Sequence, residues 1–409
     1  MQKIKLGDVC QISSAGDKPL DFSDSKTDRC SIPVIANGVE NSGIIGYTSS
    51  ASVVEPSVTV SARGNVGSVT FRDEPYFPVI RLLTLIPDSN ILDTKYLYYY
   101  LKQYKIKGVG SVQAQITIPD AEQYSVSLIG NVHTQKQIAN VLFSIDKKID
   151  NNNAIAAELE GMAKDLYDYW FVQFDFPDEN GKPYKSSGGK MVWNEELKRE
   201  IPEGWEVDRL GKHISSNRGI SYNSATLEGD GVPMINLASF GVDSNYKPAG
   251  IKTYNGQYDA DKILHPFDLI MCNTQQTAID PTKDIIGKAM LVPDIFDGDV
   301  VSSHHVTTIT PDVDELKYYL YGTCKTTWFH KYIVGFASGT NILGLDFKGF
   351  EDYLMPLPPM RLLKKFATAM KNIESEKNLI ITENAELASL RDFLLPMLMN
   401  GQVKVKGVS

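Results

Sequence analysis

The sequence lacks the features of a membrane protein, a zinc ribbon or a secreted disulfide scaffold. Among its 409 residues no apolar run approaches the ~18 residues of a transmembrane helix. The opening MQKIKLGDVC has no apolar signal-peptide core, so we expect a cytoplasmic chain without membrane contact. The four cysteines lie far apart without a Cys-x-x-Cys pair, which favours reduced thiols over a metal or disulfide framework.

Catalytic motifs are missing as well. A phosphate-binding Gly-x-x-x-x-Gly-Lys-Ser/Thr loop does not occur, because Gly287-Lys288 is followed by Ala289. There is no His-Glu-x-x-His zinc motif and no Asn/Asp-Pro-Pro-aromatic motif of adenine methyltransferases. His304 and His305 are adjacent, and neighbours on a strand point to opposite faces, so we expect no shared metal ion. The sequence therefore predicts a non-catalytic chain without a metal or cofactor of its own.

Positive charge is too scarce for a general nucleic-acid coat protein. The chain has 41 basic and 50 acidic residues, a net charge of −9. Non-specific DNA binding depends on a basic surface, so this balance counts against it. Any DNA binding must rest on local patches, or on basic partner proteins that supply the rest.

What the sequence does contain is an internal repeat. Four segments of the first half have counterparts in the same order in the second half. The pairs are KIKLGDVCQISSAG (3–16) with WEVDRLGKHISSNRG (205–219), IPVIANG (32–38) with VPMINLA (232–238), TKYLYYYL (94–101) with ELKYYLYG (315–322), and residues 110–129 with 339–358. The last pair aligns without gaps at an offset of 229. The order predicts two similar globular heads.

A long heptad pattern follows each repeat. Its apolar positions are Ile138, Val141, Ile145, Ile155, Leu159, Met162, Leu166 and Tyr169 in the first copy, and Phe366, Ala369, Ile373, Ile380, Leu387, Leu390, Leu394 and Met397 in the second. Polar residues interrupt both seams: Lys148 and Asn152, and Glu376 and Glu383. Two helices of equal length favour an antiparallel coiled coil, in which Lys148 and Asn152 face Glu376 or Glu383 and set the register. The alternative is two helices in separate globular cores.

These features predict an α+β chain with two tandem α/β heads. Two long helices separate the heads and pair as an antiparallel coiled coil about a pseudo-two-fold axis. The predicted segments are 1–132 (first head), 133–172 (central helix), 173–204 (linker), 205–357 (second head), 358–401 (C-terminal helix) and 402–409 (tail). The linker is rich in Gly, Pro and Ser, and we expect a short helical piece in WNEELKREIP (193–202).

Several of these motifs, in this order, resemble the specificity (S) subunits of type I restriction–modification systems. They are the Leu-Gly openings (Leu6-Gly7 and Leu210-Gly211), the YLYYYL helix, HTQKQIANVLFSID (133–146), and YWFVQFDFPDENGKPYK (169–185) followed by IPEGWE (201–206). The resemblance covers the whole chain. It implies that the heads are target-recognition domains, each reading one half of a split double-stranded DNA target, and that the helices are a spacer on which two methyltransferase subunits dock. S-adenosylmethionine, and ATP and Mg²⁺ for optional restriction subunits, are implied for these partners and not for this chain.

Polar residues in the heads are suited to DNA contact. Arg63 and Asn65 lie among small residues in SARGNVG (61–67), and such side chains read guanine and adenine edges bidentately. The second head offers CNTQQTAIDPTKDIIGK (272–288). The predicted contact set is Arg63, Asn65, Lys102, Lys105, Lys107, Gln113, Gln115, Asn273, Gln275, Gln276, Lys283, Lys288, Thr340 and Asn341. Each is equally consistent with an ordinary solvated loop residue, and the three lysines of the first head with an ordinary helix end.

Two other functions stay open. A coiled-coil scaffold whose heads bind proteins, without sequence-specific DNA binding, is compatible with the net charge of −9. A stand-alone nuclease is the weaker alternative: Pro311-Asp312 is too close to Glu315 and Lys317 for a nuclease signature. A DNA gel shift separates the reader from the scaffold, and metal-dependent cleavage by the isolated chain identifies a nuclease.

Overall fold

A computed structural model describes residues 2–38, 40–108, 114–276 and 284–405, without the side chains of Glu40 and Gln276. The chain divides into two compact units. Unit 1 consists of Met1–Asn151 and Asn384–Ser409, and unit 2 consists of Asn152–Glu383. Each unit therefore combines one head with part of both long helices. None of the helices in the described ranges is long and apolar enough to cross a membrane.

Unit 1 is built from short strands in three sheets. Its strands are β1 (Gln2–Lys5), β2 (Cys10–Ser14), β3 (Ile32–Ile35), β4 (Ile44–Thr48), β5 (Ser57–Val60), β6 (Val69–Arg72), β7 (Phe77–Pro78), β8 (Leu83–Pro87) and β9 (Ser125–Leu128). Its helices are α1 (Leu6–Val9), α2 (Thr94–Gln103), α3 (Ile118–Gln123) and the start of α4 (Val132–Tyr167). The sheet orders are β2-β8-β5-β6, β4-β3-β7 and β1-β9. The SVTV residues of β5 are all buried, as expected for a β-branched strand between two neighbours.

Unit 2 contains the second head and a hairpin from the linker. Its strands are β10 (Met191–Asn194), β11 (Arg199–Pro202), β12 (Glu206–Arg209), β13 (Ile214–Arg218), β14 (Val232–Ile235), β15 (Lys252–Tyr254), β16 (Ile263–Leu264), β17 (Leu269–Cys272), β18 (Thr274–Gln276), β19 (Ala289–Leu291), β20 (Val300–Ser302), β21 (Val306–Pro311), β22 (Ala337–Ser338), β23 (Ile342–Leu345) and β24 (Leu354–Leu357). Its helices are α5 (Leu316–Cys324), α6 (Thr327–Val334), α7 (Lys348–Glu351) and most of α8 (Met360–Met399).

The two units share one topology, so the predicted repeat is confirmed. The order β2-β8-β5-β6 corresponds to β13-β21-β17-β19, β1-β9 to β12-β24, and β4-β3-β7 to β15-β14-β20. The aromatic helix α2 corresponds to α5. Both bury their tyrosines, because each packs against the sheet of its own unit.

The Leu-Gly turn shows how closely the units agree. A Cβ atom placed on Gly7 would lie 2.9 Å from Cβ of Glu122 in α3, and one placed on Gly211 would lie 3.0 Å from Cβ of Glu351 in α7. The two glutamates are separated by the same offset of 229 residues that the sequence alignment predicts. Glycine is required at both turns because a neighbouring helix leaves no room for a side chain.

The long helices pack antiparallel, as predicted. In unit 2, Nδ2 of Asn152 donates to Oε2 of Glu383 over 2.7 Å. Further along α4, Nζ of Lys377 lies 2.7 Å from Oε2 of Glu160. Asn152 pairs with Glu383, and the later residue Glu160 pairs with the earlier residue Lys377. The two helices therefore run antiparallel. The predicted contact of Asn152 with Glu383 is confirmed.

The seam follows the heptad prediction only in part. Ten predicted seam residues are buried or half-buried: Ile138, Ile145, Asn152, Leu159, Leu166, Phe366, Ile373, Ile380, Leu387 and Leu394. Ile155, Met162, Tyr169 and Leu390 are exposed, so the prediction was wrong for them. Buried positions on α8 instead recur every eleven residues, in the pairs Leu363 and Glu374, Phe366 and Lys377, and Ala367 and Asn378. Eleven residues make three turns at about 3.67 residues per turn, so this eleven-residue spacing coexists with the seven-residue spacing of the ten residues above and replaces only the second apolar position of the heptad.

The helical piece predicted in the linker is wrong, because residues 191–202 form the antiparallel hairpin β10-β11. The turn is stabilised by Asn194, whose Oδ1 accepts from the backbone N–H groups of Glu196 (3.0 Å) and Leu197 (2.9 Å). Lys198 then takes a left-handed φ of 51°. An asparagine that satisfies the backbone in this way favours a turn over a helix.

Candidate DNA interface

In unit 1, three chain segments meet around the predicted contact residues. The backbone N–H of Ile116 donates to the carbonyl of Ala62 over 3.1 Å, which joins the loop after β5 to the segment before α3. Nη2 of Arg63 then donates to Oε1 of Gln115 over 3.1 Å. A Cβ atom on Gly67, which has φ +78°, would lie 2.7 Å from the carbonyl oxygen of Ile106. The fold therefore brings Arg63 and Gln115 together, beside the segment that carries Lys105 and Lys107.

Asn37 braces this loop, and the sequence analysis did not single it out. Its Oδ1 accepts from the backbone N–H of Ala62 over 2.9 Å, and its Nδ2 donates to the carbonyl of Ile80 over 2.5 Å. The hydroxyl of Ser61 also donates to the carbonyl of Asn37 over 3.1 Å. One side chain thus ties the Arg63 loop to the residues that precede β8. Asn65 lies exposed on the same loop.

In unit 2 the corresponding segments meet in the same way. The backbone N–H of Leu345 donates to the carbonyl of Asn273 over 2.8 Å, which matches the bond between Ile116 and Ala62. The residues that follow, Arg63 in unit 1 and Thr274 in unit 2, therefore hold equivalent positions. Strands β18 and β23 pair antiparallel, and the exposed Thr340 and Asn341 immediately precede β23.

Two predicted DNA-contact residues of this segment are structural instead. Asn273 and Gln275 are only 5% and 6% exposed. Nδ2 of Asn273 donates to Oγ1 of Thr307 over 2.8 Å. Oε1 of Gln275 accepts from the backbone N–H groups of Ile285 (2.6 Å) and Ile286 (2.8 Å). Buried side chains that satisfy the backbone hold a loop in shape, so we correct their role from base reading to loop support.

The predicted lysines differ in their surroundings. Nζ of Lys102 lies 3.1 Å from the hydroxyl of Tyr98 and 3.8 Å from Oδ2 of Asp146, so an acidic group of α4 already partners it. Lys102 is half-buried, and its predicted phosphate contact stays a prediction. Lys105 and Lys107 are exposed. Lys288 is half-buried, and burial lowers the pKa of its ammonium group. Three other predicted contacts, Gln113, Lys283 and the side chain of Gln276, lie outside the described residues.

The adjacent histidines do not point to opposite faces as predicted. Residues 304 and 305 lie in a turn between β20 and β21, and their ring centroids are 3.8 Å apart. A turn does not alternate side chains as a strand does, which explains the difference. Nδ1 of His305 lies 2.7 Å from Oγ1 of Thr274. Over the described ranges, no group of three or more His, Cys, Asp or Glu side chains is placed to hold a metal ion.

Comparison with known proteins finds similar sequences and a similar fold. The model of the type I restriction modification DNA specificity domain matches residues 1–161. A candidate type I specificity subunit of Mycoplasma pneumoniae is 33% identical over 168 residues, which are 41% of this chain and 49%, about half, of that relative. The specificity subunit of the type I restriction enzyme MjaIX from Methanocaldococcus jannaschii is 24% identical over 376 residues, covering 86% of this chain and 78% of that protein.

The fold comparison extends to the whole chain. The crystal structure of the S subunit of a type I restriction–modification system from M. genitalium covers 97% of this chain and 95% of its own, with a TM-score of 0.62 at 17% identity. At this identity the match shows a shared fold. It includes both units, whereas the family model matches only the first part of the chain.

Proposed function

We propose that this chain is a specificity subunit of a type I restriction–modification system, and that it is the non-catalytic, DNA-reading subunit. Its similarity to the specificity domain, to the MjaIX specificity subunit and to the fold of the M. genitalium S subunit supports this proposal. Each unit reads one half of a split double-stranded target. The observation that carries this proposal is the repeated convergence of two segments: the bond of Ile116 to Ala62 in unit 1 recurs as that of Leu345 to Asn273 in unit 2. Two similar surfaces are what a bipartite target requires.

The residues at this convergence suit base reading in unit 1. Arg63 is exposed, and Gln115 holds its guanidinium over 3.1 Å. A guanidinium held by a neighbour loses less side-chain freedom on binding, and it pairs bidentately with guanine. The exposed Lys105 and Lys107 are placed for phosphate contact. Each unit has few basic residues. This is consistent with a DNA-recognition subunit whose partner proteins make part of the contacts with the DNA phosphates.

The methyltransferase partners dock on the long helices in this proposal. Large apolar side chains are exposed there in each unit: Ile155, Met162 and Leu379 in unit 2, and Leu390 and Phe393 in unit 1. Large apolar side chains that a protein leaves exposed are available for contact with a partner protein. One such set per unit supports two methyltransferase subunits, which carry S-adenosylmethionine. Restriction subunits that use ATP and Mg²⁺ would join as optional partners.

A domain exchange tests the proposal. The full chain is produced with its methyltransferase subunit, and methylated sites are mapped across the host genome. Replacing residues 205–357 with those of a relative should change one half-site and leave the other intact. A change in both half-sites would contradict separate readers. If neither this map nor a gel shift with the complex showed sequence preference, the protein-binding scaffold would be the better assignment.

A further inference from the structure

Arg81 and His305 hold equivalent positions in the two units. Leu83 lies opposite the last residue of β2, and Thr307 lies opposite the last residue of β13. Arg81 and His305 each come two residues earlier, where the chain enters the equivalent strands β8 and β21. Both lie beside the convergence described above, because Asn37 links the Arg81 segment to the Arg63 loop and Thr274 contacts His305.

The segment before β8 is held in an unfavourable backbone conformation. Ile80 and Arg81 have left-handed φ angles of 56° and 57°. For a β-branched residue such as Ile80 this region is a true outlier. Backbone bonds from Ile80 to Gly16 (2.9 Å) and from Arg81 to Ala15 (3.1 Å) maintain it. The result is that Ile80 is 52% exposed and the Arg81 side chain is exposed beside it, and strain of this kind is concentrated at functional sites.

The equivalent position in unit 2 faces a cavity of about 660 Å³. His305 lines it together with Tyr222, Lys252, Thr274 and Ile342. The hydroxyl of Thr274, 2.7 Å from Nδ1 of His305, fixes the ring, and the tilted ring of His304 packs against it with a centroid distance of 3.8 Å. Nε2 is then the ring atom that can donate to or accept from a base. A cavity of this size, with an aromatic ring, a cation and one fixed polar atom, suits a nucleotide.

Burial keeps the imidazole neutral. Burial is the largest of the effects that together lower the pKa of His305 to about 4; the nearby His304, Arg218 and Lys252 contribute the rest. A neutral ring offers either a donor or an acceptor at Nε2, according to its tautomer, and the Thr274 hydroxyl can partner Nδ1 in both cases. The same cations favour an approaching phosphate.

We propose that Arg81 and His305 are equivalent base-reading residues, one for each half-site. Arg81 reads a guanine edge in the first half-site through its guanidinium. His305, oriented by Thr274, reads one base of the second half-site through Nε2, with Lys252 at the adjacent phosphate. This inference rests on the proposed function, because it names the residues that carry the reading.

The test uses the full chain in complex with its methyltransferase subunit and a DNA library randomised in both half-sites. R81A should relax selectivity about 5- to 150-fold at one position of the first half-site only. R81K should relax the same position, because lysine keeps the charge but lacks the bidentate fork. H305A and H305N should each relax one position of the second half-site; H305N retains a group that reaches Thr274. R29A and H265A, at exposed positions of the same units, are the matched controls.

The outcomes separate this inference from the proposed function. If R81A weakened all sequences equally and R81K restored binding, Arg81 would be a phosphate contact and the inference would be overturned. Unchanged selectivity in R81A and H305N, with a selective wild-type complex, would overturn it and leave the proposed function standing. A wild-type complex without any sequence preference would overturn both. Thermal unfolding of every variant identifies any loss that comes from misfolding.

Discussion

Nδ2 of Asn152 lies 2.7 Å from Oε2 of Glu383, and this bond joins the two long helices of unit 2 through a residue that is only 2% exposed. A buried polar pair in a helix seam selects the register that satisfies both groups. Glu383→Leu should therefore destabilise the protein by about 1–3 kcal/mol, because Asn152 loses its acceptor while it stays buried. Urea unfolding of the variant measures the loss.

The matched control for that change is Glu386→Leu, at an exposed position of the same helix, where little effect is expected. The double variant Asn152→Leu with Glu383→Leu should regain most of the stability, because neither member of the pair is then left buried without the other. If the double variant were less stable than Glu383→Leu alone, the bond would not be the source of the effect.

Lys377 joins the carboxylates of the half-buried Glu160 and the buried Glu374 in unit 2. Its Nζ lies 2.7 Å from Oε2 of Glu160 and 2.9 Å from Oε1 of Glu374, and Glu160 also contacts Lys325. Burial by itself raises the pKa of Glu160, but the two lysines outweigh it and the net pKa is lowered. Lys377→Met should cost about 3–5 kcal/mol, because it leaves the buried Glu374 without its cation and Glu160 with Lys325 alone. Lys364→Met, at an exposed position of α8, serves as the control in chemical unfolding.

Glycine-to-alanine changes should have opposite signs at two positions of the chain. Gly7→Ala places a Cβ atom 2.9 Å from Cβ of Glu122 and should destabilise by about 1–3 kcal/mol through overpacking. Gly161→Ala lies in α4, where a Cβ atom meets nothing within 4 Å, and should stabilise by up to about 1 kcal/mol through helix propensity. Thermal unfolding of both variants shows whether each change raises or lowers the stability of the fold. If both changes stabilised the protein, the tight contact at Gly7 would be contradicted.

Gln275→Ala distinguishes loop support from base reading. The change removes the acceptor of two buried backbone N–H groups, those of Ile285 and Ile286, and should destabilise by about 1–3 kcal/mol. Because the side chain is buried, base preference in the second half-site should stay as in the wild type. Thr340→Ala, at an exposed position, is the comparison: it should leave stability unchanged. A shifted base preference in a stably folded Gln275→Ala protein would restore the original prediction for this residue.

Acid should weaken the fold through His305. Its pKa is lowered from 6.5 to about 4 in the folded protein, first by burial, so between these values the unfolded chain binds a proton that the folded chain does not. Stability therefore falls as the pH falls through this window. In His305→Asn the fall between pH 7 and 5.5 should be smaller, because one titrating group is gone. Urea midpoints at the two pH values test this, and an unchanged slope would contradict a buried neutral imidazole.

The sequence by itself determined the repeat, the two heads, the long helices and their antiparallel pairing. These properties depend on local patterns that can be recognised in the sequence. The patterns are apolar periodicity, turn residues, and matched segments such as the Leu-Gly openings at Gly7 and Gly211. The polar interruption at Asn152 was also readable, because a polar residue in an apolar seam needs a partner. The resemblance to specificity subunits rested on the order of the same motifs.

Only the tertiary structure decided which polar residues reach the surface. Gln275 and Arg63 look alike in sequence, as polar residues in loops after a buried strand. Gln275 is buried because residues ten and eleven positions later fold back onto its side chain. Arg63 stays exposed, and its partner Gln115 is 52 residues away. The exposure of a loop side chain depends on contacts between distant segments, and periodicity along the chain carries no information about those contacts.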